Sequence, residues 1–258
     1  MAEPVSSLWS SKFRAWAVHL VISLCVLLPV LAVIFFLWYP GPLFTVQDGG
    51  RVAGILIGVH LVLGPLLTFI VFKPGKKHLK FDLSVIVVLQ IVALVYGTHT
   101  IWSERPRYVV FAVDRYEVLV RPDVDFARAG MDGFGDAQGR GVIYAFAEMP
   151  LGQAFQRFQD EVLFGGAPDL ERRPEFWRTL HGPRVDAVLA AAHPLSAFRT
   201  RGDVAHDALR DRAIALGLDP ETAFVTPVVG KGGDFLGLLH PETARVLGVL
   251  ETDPWLQE

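Results

Sequence analysis

Residues 15–39 read AWAVHLVISLCVLLPVLAVIFFLWY, a run with no formal charge when His19 is neutral. A helix crosses the ~30 Å hydrocarbon layer of a bilayer with about 20 apolar residues, so this run alone is long enough to span one. Two more runs follow: residues 52–72 (VAGILIGVHLVLGPLLTFIVF) and residues 83–102 (LSVIVVLQIVALVYGTHTIW). His60 is the only ionisable side chain of the second; Gln90 and His99 interrupt the third, His99 close enough to its end to reach the interface. The length of the first run and the lack of a small-x-small site before Trp38-Tyr39-Pro40-Gly41-Pro42 argue against a cleaved signal peptide, so it is expected to be retained as a span.

The composition divides at the same place. The chain has 258 residues, 52% of them hydrophobic, and a mean hydropathy of +0.38. Residues 1–102 hold seven Lys/Arg and three Asp/Glu, a net of +4; the rest hold 17 and 24, a net of −7, and the two add to the overall −3. A membrane part (15–102) followed by an acidic soluble part (103–258) is the simplest account. Such a net charge argues against nucleic acid as a partner. Cys25, the single cysteine, lies inside the first run, so the C-terminal part can form no internal disulfide.

Short basic loops stay in the cytoplasm. Lys12 and Arg14 precede the first span, and Lys73, Lys76, Lys77 and Lys80 crowd the loop between the second and third, whereas the first loop carries Arg51 offset by Asp48. The expectation is a cytoplasmic N-terminus (1–14) and, after three crossings, a C-terminal domain outside, which in a bacterium means the periplasm. Trp38, Tyr39 and Trp102 fall at the outer ends of their spans, as interfacial aromatics should.

An ionisable residue within a span usually faces protein or water rather than lipid, which singles out His60. It is read as a neutral imidazole used for packing, with Gln90 a possible partner, or as a contact to a foreign helix, ahead of any transport role. Gly54-x-x-x-Gly58 has the spacing that lets helix backbones approach closely, and Leu61 and Pro65 continue its stripe on a regular helix, with His60 facing elsewhere. Packing within the bundle and docking of a foreign helix both account for the glycines.

Beyond residue 107 the pattern becomes that of strands and amphipathic helices. Residues 108–120 and 141–147 are rich in β-branched and aromatic residues. Residues 151–163, 171–180, 185–192 and 203–216 read as helices, the last opening with Asp203 as an N-cap. Residues 223–230, 235–239 and 245–251 are short β runs separated by turns at Lys231–Asp234 and His240–Thr243. The fold class is therefore a three-helix transmembrane bundle followed by an α+β domain of about 150 residues.

No catalytic constellation emerges. Asp207 and Asp211 share a helix face but His206 points about 100° away, and His181 and His193 complete no zinc spacing. Gly230-Lys231-Gly232-Gly233 lacks the spacing of a phosphate loop and reads as a hairpin turn. No metal, cofactor or small-molecule substrate is expected.

The segments Leu63-Gly64-Pro65-Leu66-Leu67-Thr68-Phe69-Ile70-Val71-Phe72-Lys73-Pro74-Gly75-Lys76-Lys77 and Leu79-Lys80-Phe81-Asp82-Leu83 resemble the TfpX/TfpZ family of type IV pilin accessory proteins. Leu37-Trp38-Tyr39-Pro40-Gly41-Pro42, Arg105-Pro106-Arg107-Tyr108, Val113-Asp114-Arg115, Val246–Leu250 and Pro254-Trp255 fit the same family. That family often carries an acidic residue where this chain has His60, so no role is transferred there. The resemblance implies a non-enzymatic, chaperone-like protein of the inner membrane that stabilises a particular major pilin and promotes its assembly. On this view Gly54, Gly58, Leu61 and Pro65 would dock the partner, while His60 holds the bundle. The competing reading is a membrane-anchored periplasmic enzyme or sensor, which a cleft joining His193, His206 and Asp203 would favour.

Overall fold

The computed structural model describes residues 5–128, 141–197 and 203–255. The chain forms two compact units: residues 1–37 with 49–103, and residues 38–48 with 104–258.

The first unit contains three helices long and apolar enough to cross a membrane. Helix α1 (Val5–Val33) continues through a π-helical turn, Ile34–Trp38. The second rod is composite: α3 (Gly49–Ile57), a π-helical turn (Gly58–Leu63) and α4 (Gly64–Val71). Pro65 explains its irregularity. A proline ring inside a helix removes one N–H and presses on the carbonyl four residues earlier, and a wider turn just before it relieves that clash. The third helix, α5 (Leu79–Ser103), is regular over 25 residues, about 37 Å. Most of the large side chains of these helices are exposed, among them Ile55, Leu89 and Val92, which is what a lipid-facing surface requires. This is a membrane protein.

The second unit begins between the first two helices. A four-residue helix, α2 (Leu43–Val46), lies in the turn after Pro40-Gly41-Pro42, and Leu43 and Val46 are buried in the core of the C-terminal domain. The domain is α+β, with a mixed sheet as its centre. Its strands are β1 (Tyr108–Ala112), β2 (Arg115–Leu119), β3 (Ile143–Ala147), β4 (Trp177–Thr179), β5 (His193–Pro194), β6 (Phe224–Gly230), β7 (Gly233–Leu239) and β8 (Val246–Leu250). They run in the order β4-β3-β1-β2-β6-β7-β8, with β5 on β6. The β1–β3 and β2–β6 pairs are parallel and the others antiparallel.

Every residue of β1 is buried because both faces of the sheet are covered. Successive strand residues point to opposite faces. Val109 and Phe111 accordingly join α2 and α7 (Pro183–Ala191) on one side. Tyr108, Val110 and Ala112 join α6 (Gln153–Leu163) on the other. A third cluster lies between α8 (Asp203–Ala215) and strands β6 and β7, around Leu209, Ala213, Val225 and Leu236.

Two sequence expectations are corrected here. Residues 171–180 are not a helix: 3-10 turns at Leu170–Arg172 and Pro174–Phe176 lead into β4. Pro174 cannot supply a mid-helix N–H, and strand geometry delivers Trp177, fully buried, onto Tyr108. The run 108–120 is a hairpin and not one strand, its tip formed by Val113 at φ +60° with Asp114 N–H donating to the Ala112 carbonyl. The expected turn at 231–234 is the β6–β7 hairpin, closed by the Gly230–Gly233 pair. Its glycines have a further cause. A Cβ on Gly232 would stand 2.8 Å from the Thr45 carbonyl oxygen, so the loop backbone can lie against the turn only if side chains are missing there. Gly232 N–H donates to the Val46 carbonyl at 2.8 Å, and buried Gln47 donates from Nε2 to the Val118 carbonyl at 2.7 Å.

Candidate functional site within the helices

Helix α1 packs on α4, and α5 packs on α3 and α4, so the second rod is the shared neighbour of the other two. Between α1 and α5 lies a cavity of about 800 Å³ with mainly aliphatic walls. Its polar wall joins all three rods. His19 of α1 places Nδ1 2.5 Å from Thr68 Oγ1 and Nε2 2.6 Å from Gln90 Oε1. Gln90 donates from Nε2 to the His60 carbonyl at 3.4 Å. A carbonyl oxygen only accepts, so His19 Nε2 carries a proton, and in neutral imidazole Nδ1 then accepts from the Thr68 hydroxyl. One imidazole thus ties the first helix to both others at membrane depth. Gly64 makes room for it: a Cβ there would collide with the Gln90 amide.

Sequence reasoning chose His60 and Gln90 as the intramembrane polar pair, and the structure places both in the cavity wall. The side chain at the centre of the network is, however, His19, which had been noted only as a neutral residue of the first run. His60 is 5% exposed, and its Nε2 has no hydrogen-bond partner among the described residues. Its backbone carbonyl, not its ring, receives Gln90. The signal available in the sequence was that each apolar run carries a polar ring or amide inside it, His19, His60 and Gln90 among them.

Gly54, Gly58, Leu61 and Pro65 do not share one surface. Gly54 is exposed, Gly58 and Leu61 are half-buried, and Pro65 is buried. The expected stripe assumed 3.6 residues per turn, and the π-helical turn Gly58–Leu63 resets the phase between Gly58 and Pro65. Among the described residues, a Cβ at Gly54 or Gly58 would meet no atom of a neighbouring element within 4 Å, so packing among them does not require either glycine.

The basic loop forms a turn with Gly75 at φ +73°. Lys76 pairs with Asp82 at 2.6 Å, while Lys73, Lys77 and Lys80 are exposed and meet no acidic partner among the described residues. In the C-terminal domain His193 is exposed on β5 and His206 half-buried on α8; the side chain of Asp203 lies outside the described residues. Among the described residues no group of three or more His, Cys, Asp or Glu could hold a metal ion.

These features define a class: a three-span membrane protein with a polar tie inside its bundle and an α+β domain at its C-terminal end. Residues 7–48, the first helix and the loop after it, match the family model described as fimbrial assembly protein FimB. The chain is 35% identical over 109 residues to the fimbrial assembly protein of serogroups C1 and C2 of Dichelobacter nodosus, covering 42% of this chain and 83% of that one. It is 27% identical over 226 residues to the serogroup E1 protein, covering 82% and 84%. With the serogroup I protein it shares 37% over 109 residues, which is 42% of each. The chain belongs to the fimbrial assembly protein family. No solved structure matches it.

Proposed function

We propose that this protein acts in type IV pilus assembly as a chaperone-like, non-enzymatic factor of the bacterial inner membrane, binding and stabilising a particular major pilin before it is polymerised. The observation that carries this reading is kinship with proteins named for fimbrial assembly, one of them aligned over 82% of the chain. The residue pattern of the TfpX/TfpZ pilin accessory proteins supports the finer assignment to a pilin.

The physical logic is that of helix recognition in lipid. An apolar helix is solvated by lipid as well as by another helix, so association rests on close packing and a few polar contacts. At Gly54 and Gly58 the space that a Cβ would occupy is open among the described residues. Leu61 borders them, and the buried Pro65 serves by setting the shape of the rod. The basic loop with Lys73, Lys76, Lys77 and Lys80 lies in the cytoplasm, and the C-terminal domain lies in the periplasm, where a pilin's globular part would be.

Crosslinking probes at positions 54 and 58 in cells test the reading. They are expected to capture pilin, and Gly58→Leu is expected to lower pilin co-purification at normal protein levels. Capture of other parts of the same chain, and never of pilin, would sink it. The orientation has its own test: a reporter active only in the periplasm is expected to work when fused after Glu258 and to be silent at Lys77, and the opposite pattern overturns the topology.

A further inference from the structure

The cavity between α1 and α5 is elongated along the helices. Its walls run from Ser11 to Val26 on α1, about 22 Å, and from Leu83 to Leu94 on α5, about 16 Å. The latter is close to the depth of one leaflet, half of the ~30 Å hydrocarbon layer. The aliphatic side chains Val18, Ile22, Val26, Leu83, Val87 and Ile91 line this length. At the end nearest the basic loop the lining turns polar, with Ser11 and Arg14. Arg14 is exposed and has no acidic partner among the described residues. Lys73, equally free, sits between two lining residues, Phe72 and Pro74. A mainly aliphatic slot about one leaflet deep, its walls interrupted by the His19, Thr68 and Gln90 contacts and with unpaired cations at its mouth, matches an amphiphile with acyl chains and an anionic head.

We propose that this groove is a binding site for one anionic phospholipid of the leaflet bordering the basic loop, its phosphate held at Arg14 and Lys73 and its acyl chains lying along Ile22, Val87 and Ile91. The occupied groove fills the space between the first and third helices and leaves Gly54 and Gly58 free, because neither glycine lines it. The proposal goes beyond the assembly role and does not require a pilin.

The test uses the full chain in phosphatidylcholine vesicles carrying a trace of phosphatidylglycerol or phosphatidylcholine with a photoreactive acyl chain. Phosphatidylglycerol is expected to label Ile22, Val87 and Ile91 in preference to the lipid-facing Val88 and Val92, and phosphatidylcholine to show no such preference. One basic residue near an anionic headgroup changes affinity about fivefold, so Arg14→Gln is expected to reduce the phosphatidylglycerol preference by about that factor while Arg14→Lys retains it. Ile22→Trp, which fills the slot, is expected to abolish labelling at Val87 and Ile91; thermal unfolding shows that each variant is folded. Free glycerol phosphate is expected not to compete. Equal labelling by the two lipids, or labelling of the groove no denser than at Val88 and Val92, overturns the proposal. So does competition by glycerol phosphate, which indicates an anion site only. Loss of groove labelling on adding pilin, with no effect of Arg14→Gln, assigns the groove to a protein helix and overturns it as well.

Discussion

In the α+β unit the largest side chains are hidden, with Trp177, Tyr108, Tyr116 and Phe111 all at or below 1% exposure. In the helical unit comparable side chains such as Phe36, Leu89 and Val92 are displayed, and the buried residues include His60, Ser23 and Thr68. A unit that meets water must bury apolar area, which drives its folding; in lipid that drive is absent, and packing with polar contacts takes its place. Equivalent substitutions should therefore have consequences of very different size in the two units.

The sharpest way to break this contrast is to shorten one large side chain in each. Trp177 packs on Tyr108 with ring centroids 5.1 Å apart and donates from Nε1 to the Glu171 carbonyl at 3.1 Å. Trp177→Ala is expected to destabilise the domain by about 3–5 kcal/mol, the range for removing a buried aromatic. Leu89→Ala, on a lipid-facing surface, should cost no more than about 0.5 kcal/mol. Denaturant unfolding of the full-length protein, followed through near-ultraviolet dichroism for the domain and far-ultraviolet dichroism for the helices, measures both. Similar losses at the two sites would mean that the bundle is held by burial after all.

A smaller effect is expected where a polar group is buried within the domain. Gln47 donates to the Val118 carbonyl at 2.7 Å and accepts from Lys231 N–H at 3.3 Å. Gln47→Leu leaves that carbonyl buried without its donor, at a cost of about 1–3 kcal/mol. The same unfolding experiment reads it, and faster hydrogen exchange at Lys231 and Gly232 should accompany it, since both amides bond to the loop. Unchanged exchange there would show that residues 43–48 rest on the domain without stabilising it.

How far the sequence announced each unit follows from the same physics. The three helices were legible from apolar length alone, because in lipid every apolar side chain can face outward and no detailed partner is needed. Strands β3, β6, β7 and β8 were legible from β-branched runs between turns. Residues 171–180 misled because Phe176 and Leu180 are four residues apart, as on one helix face, while the long-range demand that Trp177 reach Tyr108 decided the conformation. The role of α2 was invisible: Leu43 and Val46 read as part of a short loop, and only tertiary contact makes them core. Within the bundle, the polar residues were legible as a set but not as a network. A pattern of 100° per residue cannot foresee a π-helical turn, and that turn decides where His60 points relative to Gly58 and Pro65.

The finest distinction is between the two histidines of the bundle. His19 makes hydrogen bonds to two other helices, and an interhelical hydrogen bond in a membrane protein is worth about 0.6 kcal/mol on average and up to ~1.7. His19→Leu is therefore expected to cost about 1 kcal/mol, with Thr68 and Gln90 each losing a partner. The His60 ring is buried but its Nε2 bonds to nothing among the described residues, and Gln90 reaches the backbone of that residue, which every substitution retains. Replacing a buried, unsatisfied polar ring by an aliphatic side chain removes a desolvation penalty instead of a bond. His60→Leu should accordingly leave stability unchanged or raise it slightly. Titration of the purified full-length variants from dodecylmaltoside into sodium dodecyl sulfate, scored by loss of helix contacts, separates the two. A His60→Leu loss larger than that of His19→Leu would mean that the polar tie of the bundle runs through the ring of His60, and the assignment of His19 as its centre would have to be abandoned.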